Sequence, residues 1–236
     1  QDYDEFRTHP RPSHADFAAR AKYGAGADLR GGGMFSGRMT LPIVAAGVVA
    51  KKMCRQMTFE TLIVEIGGSQ NAADFKRIVA EAKGNGDSVG GVIECRVAGV
   101  PVGLGEPFFD SAESVISHIL FSIPAVKGVE FGSGFVGVRL RGSERNDCIV
   151  DGAGHTRTNN DGGVAGGITN GNELVVRVAV KPTPSIAREQ ITYDFAEKRM
   201  APLAIKGRHD ACIALRAGVV VEAAIAIALA DLMLQR

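Results

Sequence analysis

Apolar and polar residues alternate over residues 58–66, and that period of two, rich in Thr, Ile and Val, predicts a strand. Residues 40–53 predict a helix, with Thr40 as its N-cap, Pro42 in its first turn and Lys51 and Lys52 at its C-terminal end. An amphipathic helix follows over 71–83, capped by Asn71 and stopped by Gly84-Asn85-Gly86. Residues 89–97 predict a second strand. Residues 110–121 predict a helix, with Asp110 and Glu113 at capping-box spacing. Residues 126–132 and 135–140 read as a hairpin. Asn170-Gly171 predicts a turn into a strand over 174–180. Short strands run to about Ile205, and a long helix starts near Leu215. Residues 1–33 read as irregular, 98–109 as a Gly/Pro loop, and 142–163 as a polar loop of a length uncommon inside a compact domain.

The last apolar run, 217–234, contains Glu222 and Asp231, so it reads as a buried core helix and not a membrane span. Two stretches echo one another: Ser88-Val-Gly-Gly-Val-Ile-Glu-Cys-Arg-Val resembles Val164-Ala-Gly-Gly-Ile joined to Glu173-Leu-Val-Val-Arg-Val, and Ala45-Ala-Gly-Val-Val resembles Arg216-Ala-Gly-Val-Val. The expected architecture is α+β, a layered sheet–helix sandwich with an internal pseudo-duplication as one explanation of the echoes and common residues as the other.

Composition narrows the function classes. The 236 residues carry 27 basic and 26 acidic side chains, so no basic excess points to nucleic acid or an anionic membrane. Trp is absent and aromatics make up 6%, which argues against a base-stacking platform. Glycine, at 30 of 236, is well above the usual ~7% and marks tight turns and close backbone approaches. Cys54, Cys95, Cys148 and Cys212 form no C-x-x-C pair and read as buried reduced thiols, which with the polar start of the chain suggests a cytoplasmic protein. The chain reads as a single domain over 1–236, and because its first residue is Gln it begins in the middle of something or has been processed.

Three segments carry candidate chemistry. Arg30-Gly-Gly-Gly-Met-Phe-Ser-Gly-Arg38 precedes a helix; its glycines can turn N–H groups toward an anion and its arginines can clamp one, although it is no Walker A loop. Arg11-Pro-Ser-His14-Ala-Asp16 and Lys206-Gly-Arg-His209-Asp210 each pair an imidazole with a carboxylate. These residues suit either acid–base work beside an anionic substrate or a metal centre built from His14, Asp16, His209 and Asp210, as in a phosphoesterase; a purely structural role stays open for each. His118 reads as core-facing, and His9 and His155 as lacking a constellation. The Asn/Asp/Gly-rich stretch around 146–167 suits either a ligand loop or a solvated turn cluster.

Taken together and in order, these motifs resemble the chorismate synthase family. Arg-Pro-Ser-His14-Ala-Asp resembles R-P-G-H-A-D, with Ser13 for Gly, and Gly-Gly-Gly-Met-Phe-Ser-Gly-Arg38 resembles G-G-G-R-S-S-A-R. Gly86-Asp-Ser-Val-Gly-Gly, Gly103-Leu-Gly-Glu-Pro-Phe-Phe-Asp110, Ser122-Ile-Pro-Ala-Val-Lys-Gly-Val-Glu-Phe-Gly132, Gly142-Ser-Glu-Arg-Asn-Asp, Asn159-Asn-Asp-Gly-Gly-Val-Ala-Gly-Gly-Ile, Lys181-Pro-Thr-Pro-Ser and Lys206-Gly-Arg-His-Asp210 also align.

The resemblance implies a shikimate-pathway lyase that removes phosphate and a ring proton from 5-enolpyruvylshikimate 3-phosphate by 1,4-anti elimination, giving chorismate. It implies a requirement for reduced FMN without net redox change and a homotetramer; with no reductase or dinucleotide-binding unit read in these residues, an external NAD(P)H-dependent flavin reductase is expected. By motif, His14 protonates the reduced flavin and Asp210 assists removal of the ring proton. Arg38 and Arg208 hold substrate anions, and no metal is implied. Flavin contacts fall on Met34, Phe35, Ser36, Pro124, Ala125, Gly166, Lys181, Pro182, Thr183, Pro184, Ser185 and Arg208. Met34 and Phe35 depart from the family's Arg and Ser, and Ala211 from its Pro. The family's front, with F-G-E-S-H-G and two substrate arginines, has no counterpart, and the segment near Gly67 to Asn71 is shorter than usual. These residues alone are therefore expected to fold poorly or bind FMN weakly and to make no chorismate; a metal-dependent phosphoesterase and a non-catalytic flavin-binding fragment are the alternatives.

Overall fold

A computed structural model describes residues 3–207 and 209–236. After a short helix α1 (Asp16–Tyr23), the order is α2 (Leu41–Met53), β1 (Thr58–Ile66), α3 (Ala72–Gly84), β2 (Gly91–Ala98), α4 (Ala112–Phe121), β3 (Val126–Phe131), α5 (Gly134–Gly137), α6 (Gly142–Arg145), β4 (Val164–Ala165), β5 (Ile168–Thr169), β6 (Leu174–Val180), β7 (Gln190–Asp194), β8 (Arg199–Leu203) and α7 (Ala214–Leu234). The main sheet has the order β1-β2-β6-β3, and every neighbouring pair is antiparallel. β4 and β5, and β7 and β8, form two small hairpins.

Alternation sorts the strand residues by face. Ile93, Cys95 and Val97 of β2 and Val176 and Val178 of β6 are fully buried beneath the helices. The other face carries charge in cross-strand register: Arg177 stands opposite both Glu94 and Glu130. Its Nε donates to Glu94 at 2.6 Å, and Arg96 Nε donates to the other oxygen at 2.7 Å. Burial alone would raise the Glu94 pKa; the two guanidinium groups outweigh it and hold the carboxyl below its usual range.

Helix α7 packs on β1 and β2, with α2 and α4 beside it. Gly47 lets α2 approach closely, because a Cβ there would stand 2.4 Å from the Ala223 Cβ. The carboxylate inside this apolar helix is paired: Glu222 meets Lys51 of α2 and accepts from Thr61 Oγ1 at 2.7 Å. The two echoing strands, β2 and β6, are hydrogen-bonded neighbours, and the two echoing helices, α2 and α7, pack together.

Several expectations need correction. Residues 135–140 form no strand; Gly132 and Gly134 take positive φ, the Phe135 N–H donates to Glu130 Oε2, and the chain turns into α5. β3 pairs with β6 instead. The cap of α4 is Ser111, which accepts from the Ser114 N–H, and not Asp110. Thr40 caps α2 by position only, its hydroxyl donating to the Gly37 carbonyl. Residues 16–23 are helical. The 142–163 segment is organised around Asp147, whose carboxylate accepts from the N–H groups of Asn160 and Asp161 and from Thr158 Oγ1. Cys148 is exposed, unlike the other three cysteines, and His118 faces solvent. β1 reaches α3 through a tight turn at Gly67 and Gly68, both at positive φ.

Candidate functional site

The C-terminal end of β6 lies beside the N-terminal ends of β2 and β3, because Val180 is opposite both Gly91 and Val126. Chain segments leave the sheet there and tie to one another. The Lys181 N–H donates to the Ala125 carbonyl at 2.9 Å, which joins Lys181–Ser185 to the Pro124-Ala125 turn. Ser88 Oγ donates to the Thr183 carbonyl at 2.7 Å, and Thr183 Oγ1 donates to the Asp210 carbonyl at 2.5 Å. The loop before α7 is thereby fixed against the same segment.

Arg11-Pro-Ser-His14-Ala-Asp16 docks on this end from far away in sequence. Arg11 Nη1 donates to Ser185 Oγ at 3.2 Å, and Lys181 Nζ donates to the Ser13 carbonyl at 2.7 Å. Within the motif, Arg11 grips Asp16 with a fork: Nε reaches Oδ2 and Nη2 reaches Oδ1, both at 2.7 Å. His14 Nδ1 also lies 2.7 Å from Asp16 Oδ1. The Asp16 side chain is fully buried. Burial would raise its pKa, but hydrogen bonds from Arg11 and then His14 hold it well below the carboxylate range.

The glycine loop closes the other side. Gly31, Gly32 and Gly33 all take positive φ, which an L side chain resists. A Cβ at Gly32 would lie 3.8 Å from His14 Nε2 and 3.5 Å from Ser36 Cβ, so the missing side chain keeps the space beside the imidazole open. Arg38 Nη2 donates to the Gly31 carbonyl at 2.6 Å and braces the loop. Met34 is largely exposed and Phe35 partly so, offering apolar surface beside this space.

His14, Ser36, Arg38, Ala125 and Lys181–Ser185 are thus joined through neighbouring contacts. Asp210 is joined to them through its carbonyl, while its carboxylate pairs with Arg216 Nε at 3.3 Å. Gly166 stands apart: it turns between β4 and β5 near the start of β6, and β6 rises on the order of 20 Å from there to Lys181. Arg208 lies outside the described residues. His14, Asp16, His209 and Asp210 do not come together as a metal centre would need: the described residues hold no group of three His, Cys, Asp or Glu able to bind an ion. Asp16 is committed to Arg11 and His14, and His209 Nε2 lies 3.3 Å from the Ile205 carbonyl. His155, read as isolated, pairs with Asp151 at 2.7 Å. Arg11 and Ser88 received no role of their own in the sequence reading, although both lie inside quoted motifs.

Reduced FMN fits this donor set. Lys181 gives one N–H to Ser13 and keeps two, and Ser185, which accepts from Arg11, keeps its hydroxyl proton to give. These suit a phosphate, and the exposed Met34 and Phe35 suit an apolar ring face.

Comparison with known proteins follows the same lines. A family model described as chorismate synthase matches residues 1–234. A chorismate synthase of Chitinophaga pinensis is 55% identical over 234 residues, covering 99% of this chain and 70% of its own length. One of Korarchaeum cryptofilum is 45% identical over 257 positions, covering 97% of this chain and 71% of its own. That alignment is longer than this chain, so the Korarchaeum protein carries residues within it that have no counterpart here. A crystal structure of chorismate synthase superposes with a TM-score of 0.75 at 30% identity, covering 94% of this chain and 70% of that one.

Proposed function

The chain belongs to the chorismate synthase family, lyases of aromatic amino acid biosynthesis, and on that premise we propose that its glycine loop, Arg11–Asp16 motif and Lys181–Ser185 segment form the reduced-FMN and substrate site. The reaction is 1,4-anti elimination of phosphate from 5-enolpyruvylshikimate 3-phosphate. One observation carries the reading: segments 170 or so residues apart meet at Arg11–Ser185 and Lys181–Ser13, beside the open space at Gly32.

Lys181, Thr183 and Ser185 would hold the FMN phosphate, with Met34, Phe35, Ser36, Pro124 and Ala125 around the rest and Arg208 as a further cation. When bound, the reduced flavin supplies the electron density that eases departure of an allylic phosphate. His14 would exchange a proton with the flavin through Nε2, which faces Gly32. Asp210 accepts the ring proton, its carboxylate held by Arg216. Arg38, exposed on the loop, would leave the Gly31 carbonyl or share its remaining N–H groups with a substrate anion. An external NAD(P)H-dependent reductase would keep the flavin reduced. Exposed apolar side chains, among them Phe108, Phe109, Phe135 and Val138, suit burial between subunits of the expected homotetramer.

The test is an anaerobic assay with substrate and reduced FMN. It compares residues 1–236 with the same residues preceded by the N-terminal segment of the Chitinophaga relative. Equal amounts of chorismate and phosphate from the extended form, insensitive to a metal chelator, are expected; the short form should bind flavin weakly and release neither. An extended form that folds, binds FMN and makes no chorismate contradicts the reading.

A further inference from the structure

His14 is held between a buried carboxylate and an empty space. Its Nδ1 lies 2.7 Å from Asp16 Oδ1, and its Nε2 faces Gly32. Two tautomers are conceivable, because Arg11 Nη2 also lies 3.0 Å from Nδ1 and could donate to it. The distances decide between them. Arg11 Nη2 already gives a proton to Asp16 Oδ1 at 2.7 Å, while an ionised carboxylate can only accept. A bare Nδ1 lone pair at 2.7 Å from that oxygen would be repelled, so the proton sits on Nδ1 and the Nε2 lone pair points into the cleft.

We propose that Asp16 is the positioning residue of His14: it fixes the Nδ1–H tautomer and aims Nε2 at the space beside Gly32, while Arg11 holds Asp16 in place. The proposal rests on the flavin reading only for what Nε2 exchanges its proton with; the tautomer is a property of this chain alone. Asp16 makes no contact with that space itself and acts through the imidazole. The arrangement explains why Asp16 is kept ionised at the cost of its burial: the second oxygen, Oδ2, is saturated by Arg11 Nε and by the Arg11 backbone N–H at 3.1 Å. Among the described residues, the charged groups bonded to the segments flanking the ring are Lys181, on the adjoining Ser13 carbonyl, and Arg38, on the Gly31 carbonyl of the glycine loop; both are bonded to those carbonyls and not to Nδ1.

Long-range proton–nitrogen correlation spectra of the 15N-histidine-labelled protein test this, recorded without flavin at a pH where the ring is neutral, with His14→Gln assigning the resonance among the five histidines. In the wild type, His14 Nδ1 should appear as the protonated nitrogen and Nε2 as the unprotonated one. In Asp16→Asn, the amide oxygen is claimed by the two Arg11 donors at the Oδ2 position, so the amide nitrogen faces His14 and the pattern should swap. A wild type protonated on Nε2, or a pattern unchanged in Asp16→Asn, overturns the proposal. Should Asp16→Asn not fold, the wild-type spectrum decides alone: Nδ1–H supports the proposal and Nε2–H overturns it. A protein with the Nδ1–H tautomer that takes up no FMN would refute the flavin reading and leave the positioning role standing.

Discussion

Arg11 and Ser185, 174 residues apart, meet at 3.2 Å between a guanidinium nitrogen and a hydroxyl. The same guanidinium holds Asp16, so one buried side chain couples the histidine motif to the segment leaving β6. Replacing Arg11 with Ala leaves the Asp16 carboxylate buried without its fork. Breaking a buried ion pair costs about 3–5 kcal/mol. Urea unfolding of Arg11→Ala should show a loss on that scale; a loss below about 1 kcal/mol would mean the pair is dispensable.

Ser13 occupies a backbone position with φ of 57°, where its motif relatives place glycine. The left-handed conformation costs an L residue about 1–2 kcal/mol, while glycine pays roughly 0.5–1 kcal/mol more in unfolded-chain entropy. Ser13→Gly should therefore range from neutral to about 1.5 kcal/mol more stable. Thermal unfolding checks this, with a clear loss of stability as the contrary outcome.

Gly47→Ala should destabilise despite alanine's better helix propensity. Its methyl group would stand 2.7 Å from the Ala223 Cα, so α2 and α7 must part. Overpacking of this kind costs about 1–3 kcal/mol. Adding Ala223→Gly should restore part of the loss; strictly additive losses in denaturant unfolding would argue against the contact.

These positions mark what was legible in the sequence. The limits of β1 and the Asn71 cap of α3 follow from period and capping alone, and both are as expected. The partner of β3 was not legible, since β6 lies more than 40 residues on and the local alternation at 135–140 imitates a hairpin arm. The motifs around His14 and Lys181 were readable as motifs. Their meeting was not, because it depends on how β6 pairs with β2 and β3. The Asp16 spacing of two from His14 was visible, but the fork from Arg11 that occupies its carboxylate is a tertiary fact. Gly166 and Lys181 both belong to the resemblance, yet β6 separates them, which neighbouring motifs in sequence could not foretell.

Acid should expose the Asp16 anchor. Its pKa is depressed in the folded state, so its stabilisation is fully present above the unfolded value of about 3.9 and fades as pH falls below it. Asp147 and Glu94 shift in the same direction, so the wild type loses stability from several carboxylates. Asp16→Asn should be less stable at neutral pH but lose less on acidification between about pH 4 and 2. Parallel stability–pH curves would contradict the assignment.

Asp210→Asn should leave reduced-FMN affinity nearly unchanged and slow turnover by roughly 10²–10⁴-fold, the usual scale for one acid–base group. Loss of flavin with an intact chemical step would make Asp210 structural. Its carbonyl, which holds Thr183, is unaffected by the substitution.

The most direct test of the flavin site is an anaerobic titration of the extended protein with reduced FMN, followed by its difference spectrum. Lys181→Ala removes the cation bonded to the Ser13 carbonyl and Ser185→Ala a hydroxyl proton; Lys76→Ala, on the exposed face of α3, serves as control. A charge-assisted hydrogen bond contributes about 1.5–3 kcal/mol, so Lys181→Ala should raise Kd roughly 10- to 100-fold and Ser185→Ala by less, with Lys76→Ala unchanged. Saturable binding that is equally tight in all three variants would place the flavin elsewhere and contradict the account.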